Sequence, residues 1–443
     1  RDPLPYAEMD AATAAKYRDA DETDQNGFNP REQLRLLKRK IERLAAARVR
    51  HYAVEWDGEA QRVKGLEAFG QMVSLDLWTL IANDLKAEEQ AAPQTWQAQE
   101  RMELDAFIRE KTAGFTARDA LLKQLQAAVL TAGKERITVV TADAGAGKSA
   151  LMAKLCDGLS SADVTLLAAT AGISARSSAL EPILARWCEE LGSDLGEAAG
   201  VDWNDSLAVI QNRFFSLLER AARQKRVVCV LDAINQLDRA PQAAQMTWLP
   251  QAWPDNSVLL LSAIPGTETE ALQKRADVTQ VALPALTVAE AAAVIRSQCV
   301  HKTLNPEIIS ILTAKKFSAH SAPSCGNPLW LSIAVQELLL LDEDDFRKLG
   351  TYTGTGEQKL FALLKDTVTE MPYSIGGIYG FLLDRAKRRF GDKLIAGLVG
   401  LIAMSRYGLR EADLKQLLPK FTDQPWEDLQ FAVFRRYFRA HIV

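Results

Sequence analysis

The run Ala142-Asp143-Ala144-Gly145-Ala146-Gly147-Lys148-Ser149 places a lysine and a hydroxyl directly after closely spaced glycines. Those residue types at that spacing suit polyphosphate binding. Small residues let the backbone fold tightly, so that successive N–H groups converge on phosphate oxygens. Lys148 would reach the β- and γ-phosphates, and Ser149 would ligate Mg²⁺. The elements that must position this loop stand on either side of it. Ile137-Thr138-Val139-Val140 reads as a strand, and Ala150-Leu151-Met152-Ala153-Lys154-Leu155 as a helix. The helix start adds unpaired N–H donors and the positive end of its dipole. The cradle is therefore assigned to Ala144, Gly145, Ala146, Gly147, Lys148, Ser149 and Ala150. Ala142 departs from the usual loop pattern, standing where its first glycine would be.

A second element supplies a carboxylate. Val227-Val228-Cys229-Val230-Leu231 is an unbroken apolar run, as expected for a parallel strand buried on both faces, and it ends in Asp232. A carboxylate at the C-terminal end of such a strand can hold Mg²⁺ directly or through water. Alone, Asp232 would read as a helix cap; the phosphate loop upstream favours the metal role.

The chain has 443 residues, 48% hydrophobic and 25% charged, which predicts several domains with well-filled cores. A net charge of −4 gives no basic footprint and argues against a nucleic-acid partner. Cysteines 156, 188, 229, 299 and 325 and the 4 histidines show no metal or disulfide spacing. They fit a reducing, intracellular compartment, so the expected location is cytoplasmic. No apolar run is long enough to span a bilayer. The start at Arg1-Asp2-Pro3 and the end at His441-Ile442-Val443 read as cuts within a longer polypeptide.

Along the chain, Pro30 to Arg50 predicts a polar helix with leucines at 34, 36, 37 and 44. Its basic residues are read as a solvated face. Val49 to Trp56 reads as a strand stopping at Asp57-Gly58, and Gly65 to Leu85 as an amphipathic helix. Arg1-Asp2-Pro3 and Gly65-Leu66-Glu67-Ala68-Phe69-Gly70 resemble the C-terminal part of an α/β accessory domain, to which residues 1–90 are assigned, followed by a linker at 91–106. Over 107–284, strands at 137–141, 163–170, 226–231, 257–263 and 278–282 alternate with helices. That order predicts an α/β core, a parallel sheet with helices on both faces. Residues 285–375 read as a helical subdomain and 376–443 as a truncated region resembling a winged helix.

Further segments join the loop and the Asp232 strand. Phe115-Thr116-Ala117-Arg118 precedes them, and Ala233-Ile234-Asn235-Gln236-Leu237-Asp238 follows the strand. Val258 to Gly266 is a further strand carrying Ser262, and Gly326-Asn327-Pro328-Leu329-Trp330-Leu331 opens a later helix. Gly408-Leu409-Arg410-Glu411-Ala412-Asp413-Leu414 comes last. In this order they resemble the STAND class of P-loop NTPases. The nearest likeness is the NACHT-like ATPase of nephrocystins, the telomerase-associated vault protein and bacterial WD- or TPR-repeat relatives. The resemblance covers roughly residues 107 to 440. It implies an ATP/ADP site with Mg²⁺ at Ser149 and Asp232. Arg118 would approach the nucleotide, Ser262 would touch the γ-phosphate, and Pro328 would pack on adenine. Ala117 replaces a glycine of that pattern, and Ala263 and Ile264 leave no arginine after Ser262. His441 alone stands where a winged-helix histidine would meet the β-phosphate, and no role is assigned to it.

The assigned catalytic residues are Lys148, Asp232 and Asn235. Related ATPases carry a glutamate after the strand aspartate, where this chain has Ala233. Asn235 and Gln236 can orient a water but cannot take its proton. Asp238, the nearest carboxylate, lies about one helical turn too far. The expected function is therefore a slow ATPase, a switch controlling conformational change or oligomerisation of a larger multidomain protein. Its partners would be adenine nucleotide together with other proteins or further copies of itself. A catalytically degenerate nucleotide-binding scaffold in an intracellular or ciliary assembly is the alternative. A DNA-binding winged helix is the third reading, and the acidic balance opposes it.

Overall fold

A computed structural model describes residues 9–438 apart from 11–12, 15–29, 47–48, 53, 61, 91–94, 132–135, 161, 239–240, 300–303, 317, 319–320, 342, 406–408 and 423–424. The chain divides into two compact units, Arg1–Gln94 and Thr95–Val443.

In the first unit, helix α1 spans Pro30–Ala45 and helix α2 spans Glu67–Gln90. Between them lies an antiparallel hairpin, β1 (Glu55–Asp57) with β2 (Arg62–Lys64). The strand expected over 49–56 is thus confined to its last residues and turns back at Gly58. Upstream of it, Arg50 is drawn into an ion pair with Asp76 on α2 at 3.0 Å. Leu36, Leu37 and Leu44 on α1 are exposed, as are Leu77, Trp78, Leu80 and Ile81 on α2.

The second unit is built on a five-stranded parallel sheet. Its strands are β3 (Ile137–Thr141), β4 (Thr165–Thr170), β5 (Val227–Asp232), β6 (Ser257–Ala263) and β7 (Val278–Ala282). The spatial order is β4-β5-β6-β3-β7. Each expected strand of the core is present, and the α/β class is as read from the sequence. The apolar runs bury both faces, as a parallel sheet requires. Ile137, Val139, Cys229, Leu231, Leu259 and Leu261 face one layer of core. Val140, Val228, Val230, Val258 and Leu260 face the other.

Helices α3 (Trp96–Thr112), α4 (Asp119–Leu130) and α5 (Lys148–Leu159) cover the second face. Helices α6 (Leu180–Leu195) and α7 (Leu207–Gln224) cover the first. Residues 96–112, placed mostly in the connection between domains by sequence, thus belong to the second unit. Thr95 caps α3 by accepting the Ala98 amide, and Glu100 and Leu104 are buried.

After β7 the chain is helical. Helix α8 (Val288–Gln298) starts at a Thr287–Glu290 capping box, and α9 (Pro306–Ala314) starts at an Asn305 cap. Helix α10 (Pro328–Leu339) starts at Asn327, whose side chain accepts the amides of Leu329 and Trp330, with Pro328 in the first turn. Helices α11 (Glu343–Leu349), α12 (Gly356–Glu370), α13 (Ile375–Phe390), α14 (Asp392–Met404), α15 (Glu411–Thr422) and α16 (Asp428–Tyr437) follow. No described residue after Ala282 is in a strand, so what resembles a winged helix here is helical only. Arg410 and Asp413 instead close a local helix start, the Arg410 amide donating to the Asp413 carboxylate at 3.1 Å.

Candidate functional site

Parallel strands point their C-terminal ends to one edge of the sheet, where open α/β sheets form their crevice. The loop after β3, Asp232 at the end of β5 and Ser262 near the end of β6 all lie at that edge. Strand β6 stands between β3 and β5, with Val140 in register with Ser262 and Leu231 with Leu261. Ser262 is thereby brought between the loop and the carboxylate.

The loop backbone explains which glycines this sequence kept. Gly145 and Gly147 are left-handed, with φ of 74° and 87°, a conformation costly for any residue with a Cβ. Ala142, Ala144 and Ala146 are not among the positive-φ residues. Alanine at 142 therefore adds no left-handed strain. Ala117 is likewise outside that set and is buried in the helical-region core.

Every carbonyl from Ala142 to Gly147 accepts a hydrogen bond. Lys148 Nζ donates to Ala142 at 2.8 Å and Asp143 at 2.9 Å. Asn327 Nδ2 donates to Ala144 at 3.2 Å, and the Leu329 amide donates to Gly145 at 3.2 Å. Arg118 Nη1 donates to Ala146 at 2.7 Å, and the Leu151 amide donates to Gly147 at 3.1 Å. With its carbonyls tied outward, the loop leaves donors on the other side. The amides of Ala144, Gly145, Gly147, Lys148, Ser149 and Ala150 have no protein acceptor. Such a row of free amides at a helix start is an anion nest.

Asp232 is buried, and burial raises its carboxyl pKa above the ordinary value. Hydrogen bonding to Ser262, the nearby Ser149 hydroxyl and the Lys148 charge oppose that shift. Oδ1 accepts from Ser262, whose oxygen also accepts the Ala233 amide at 2.9 Å. Oδ2 is buried without a hydrogen-bond partner. A buried carboxylate oxygen with nothing to accept from, beside a serine and a lysine, fits a divalent cation chemically. Burial also pushes Lys148 below the usual lysine range, against the pull of Asp232 and Asp143.

The remaining expected residues are placed as follows. Arg118, itself left-handed at φ 68°, turns its guanidinium to the carbonyls of Ala146 and Pro284 at 2.7 and 2.9 Å. Its amide donates to Glu290 at 3.1 Å, so it braces the loop against the start of the helical region. Asn235 lies beyond β5, where its Oδ1 accepts the Ile264 amide at 3.1 Å and ties the β5 and β6 loops together. The Asp238 amide donates to Ser178 at 2.6 Å. Pro328 faces the loop: a Cβ on Gly147 would lie 3.4 Å from its Cγ. His441 lies outside the described residues.

Sequence reasoning singled out Pro328 in its segment and missed Asn327 and Leu329, which make the contacts to the loop. A Cβ on Gly145 would lie 2.7 Å from Leu329 Cβ. An asparagine before a proline that opens a helix signals a cap, and a cap gives no hint of a partner far away in sequence.

Residues 114–261 match the family model described as an AAA ATPase domain. Among curated proteins, the human NACHT domain- and WD repeat-containing protein 1 is 28% identical over 293 residues, 62% of this chain and 17% of its own length. Telomerase protein component 1 of Rattus norvegicus is 26% identical over 279 residues, 59% of this chain and 10% of its length. The chain thus spans under a fifth of the length of these relatives. Among solved structures, a STAND protein with a tetratricopeptide repeat sensor from Pyrococcus horikoshii matches at 14% identity. It covers 73% of this chain and 51% of that one, with a TM-score of 0.35.

Proposed function

We propose that this chain, which carries a STAND-class, NACHT-like P-loop NTPase module, binds adenine nucleotide with Mg²⁺ and uses it as a slow switch. The observation that carries the reading is the phosphate loop itself, with carbonyls tied back, amides free, and Lys148, Ser149 and Asp232 gathered beside it. The free amides of Ala144, Gly145, Gly147, Lys148, Ser149 and Ala150 would hold the β-phosphate, and Lys148 would leave its two carbonyls to reach the γ-phosphate. Ser149 and Asp232 would hold the metal, which neutralises charge developing on the phosphate oxygens.

Turnover would be slow because no carboxylate directly follows Asp232 to take the water's proton. Ala233 follows Asp232, and Asn235 is engaged by the Ile264 amide. Positioning and electrostatics would remain, which suits retention of a nucleotide more than rapid cycling. The switch would run through the contact of Asn327, Pro328 and Leu329 with the loop, joining the α/β core at 107–284 to the helical segment at 285–375. Residues 376–443 would then move with that segment. The relatives' names pair this module with WD repeats. Protein partners or self-association are accordingly the expected output. Among the described residues no helix is long and apolar enough to cross a membrane, and all five cysteines are free, which suits an intracellular site of action.

Extraction of purified protein followed by chromatography tests the reading. Bound ADP in the wild type and none in Lys148→Ala is the expected result. The scaffold alternative predicts the same retention with no measurable hydrolysis, so a turnover assay separates the two.

A further inference from the structure

The contact between the helical region and the phosphate loop is made by one side chain in two directions at once. Asn327 Oδ1 accepts the amides of Leu329 at 2.9 Å and Trp330 at 3.3 Å, capping α10. Its Nδ2 donates to the Ala144 carbonyl at 3.2 Å, across a sequence separation of 183 residues. The next backbone donor along, Leu329 N–H, takes the Gly145 carbonyl. These are consecutive peptide groups of the loop, and each must turn its carbonyl outward for the following amide to face inward.

We propose that Asn327 is a latch that presets the phosphate cradle: by holding the Ala144 carbonyl it orients the Gly145 amide, and it makes phosphate occupancy depend on the seating of α10. The inference rests on the nucleotide-binding reading above and adds a positioning residue to it. Its side chain bonds the loop that would hold the phosphates, so its effect is expected on phosphate affinity. Peptide groups already oriented need not be ordered when the ligand arrives, and that pre-organisation is what raises affinity.

The two roles of Asn327 separate chemically. Serine and aspartate are good N-caps and keep an oxygen for the Leu329 and Trp330 amides. Neither offers a donor to Ala144 as Nδ2 does at its length. Asn327→Ser therefore leaves α10 capped and opens the latch without adding charge. Asn327→Asp opens it and adds a negative charge beside the phosphates.

The test is calorimetric titration of the full chain with Mg–ADP and with adenosine, alongside thermal melting. Asn327→Ser should melt like the wild type and lose about three- to tenfold in ADP affinity, the size of one hydrogen bond. Asn327→Asp should lose more, and adenosine affinity should be the same in all three proteins. Faster amide exchange at Gly145 in Asn327→Ser, measured without nucleotide, would support the latch independently. Wild-type ADP affinity and unchanged loop exchange in Asn327→Ser would overturn the latch alone. Absence of ADP binding by the wild type would overturn the nucleotide reading and the latch with it.

Discussion

The Ser262 hydroxyl donates to Asp232 Oδ1 while its oxygen accepts the Ala233 amide, so one side chain on β6 fixes both the carboxylate and the turn that follows β5. Ala233 needs that support, being left-handed at φ 59°. Ser262→Ala would strand a buried carboxylate oxygen and a buried amide. A loss of about 1–3 kcal/mol is expected for such groups. Chemical denaturation should show it, together with weaker Mg-dependent nucleotide binding.

Asp232 also predicts a pH dependence. Its folded pKa is raised by burial. A group with a raised folded value contributes stability that is complete below its unfolded pKa, about 3.9 for aspartate, and is lost as pH rises through the folded value. The raised value therefore costs the free protein stability at neutral pH. Asp232→Asn should melt higher than the wild type at pH 7, and the difference should shrink as pH falls toward 4. The same variant should lose the Mg²⁺ dependence of ADP binding. A variant less stable at pH 7 than at pH 4, relative to wild type, would contradict this.

The core strands were legible because parallel strands buried on both faces are continuous apolar runs, as at 227–231 and 257–263. The phosphate loop was legible because its chemistry is local: glycines at 145 and 147 mark the left-handed positions. What could not be read were contacts set by sheet order. Nothing in Val258 to Ser262 says that β6 separates β3 from β5, and the Ser262–Asp232 pair follows from that order alone. Arg118 shows the same limit: the resemblance implied that it approaches the nucleotide, and its hydrogen bonds to the carbonyls of Ala146 and Pro284 could not be read from the sequence. The winged-helix reading of 408–414 illustrates a different limit, since a helix start such as Arg410–Asp413 is common to many helical folds.

Gly145 provides a test of how closely α10 sits on the loop. An alanine there would adopt a left-handed backbone, costing about 1–2 kcal/mol. It would also place its Cβ against Leu329. Gly145→Ala should lower the melting temperature and weaken ADP binding together. Leu329→Ala would remove the second contact, Leu329 Cδ2 at 2.8 Å, while keeping the Cβ, so adding it should recover only part of the loss. Independent, additive effects of the two substitutions would contradict the contact.

Steady-state hydrolysis should run well below the rate of about 10 per second typical of enzymes. Asn235→Ala frees the Ile264 amide and removes an amide that could orient water, so it should lower the residual rate further. Glutamate is better tested at 235 than at 233, because Ala233 is left-handed and buried. A wild-type rate on the order of tens per second would contradict the proposal that turnover is slowed by alanine after Asp232.

The loop at 142–149 and the α10 start at Pro328 are proposed to form one adenine-nucleotide site together. Calorimetric titration of Mg–ADP and Mg–GDP into wild type, Lys148→Ala and Pro328→Gly tests that proposal most directly, with circular dichroism confirming the fold of each. ADP should bind the wild type about tenfold or more tighter than GDP, a gap of about 1.4 kcal/mol. Lys148→Ala should lose both nucleotides, and Pro328→Gly should lose the preference for adenine. Unchanged ADP affinity in folded Lys148→Ala would contradict the phosphate site. Equal ADP and GDP affinities in the wild type would remove Pro328 and the helical region from it.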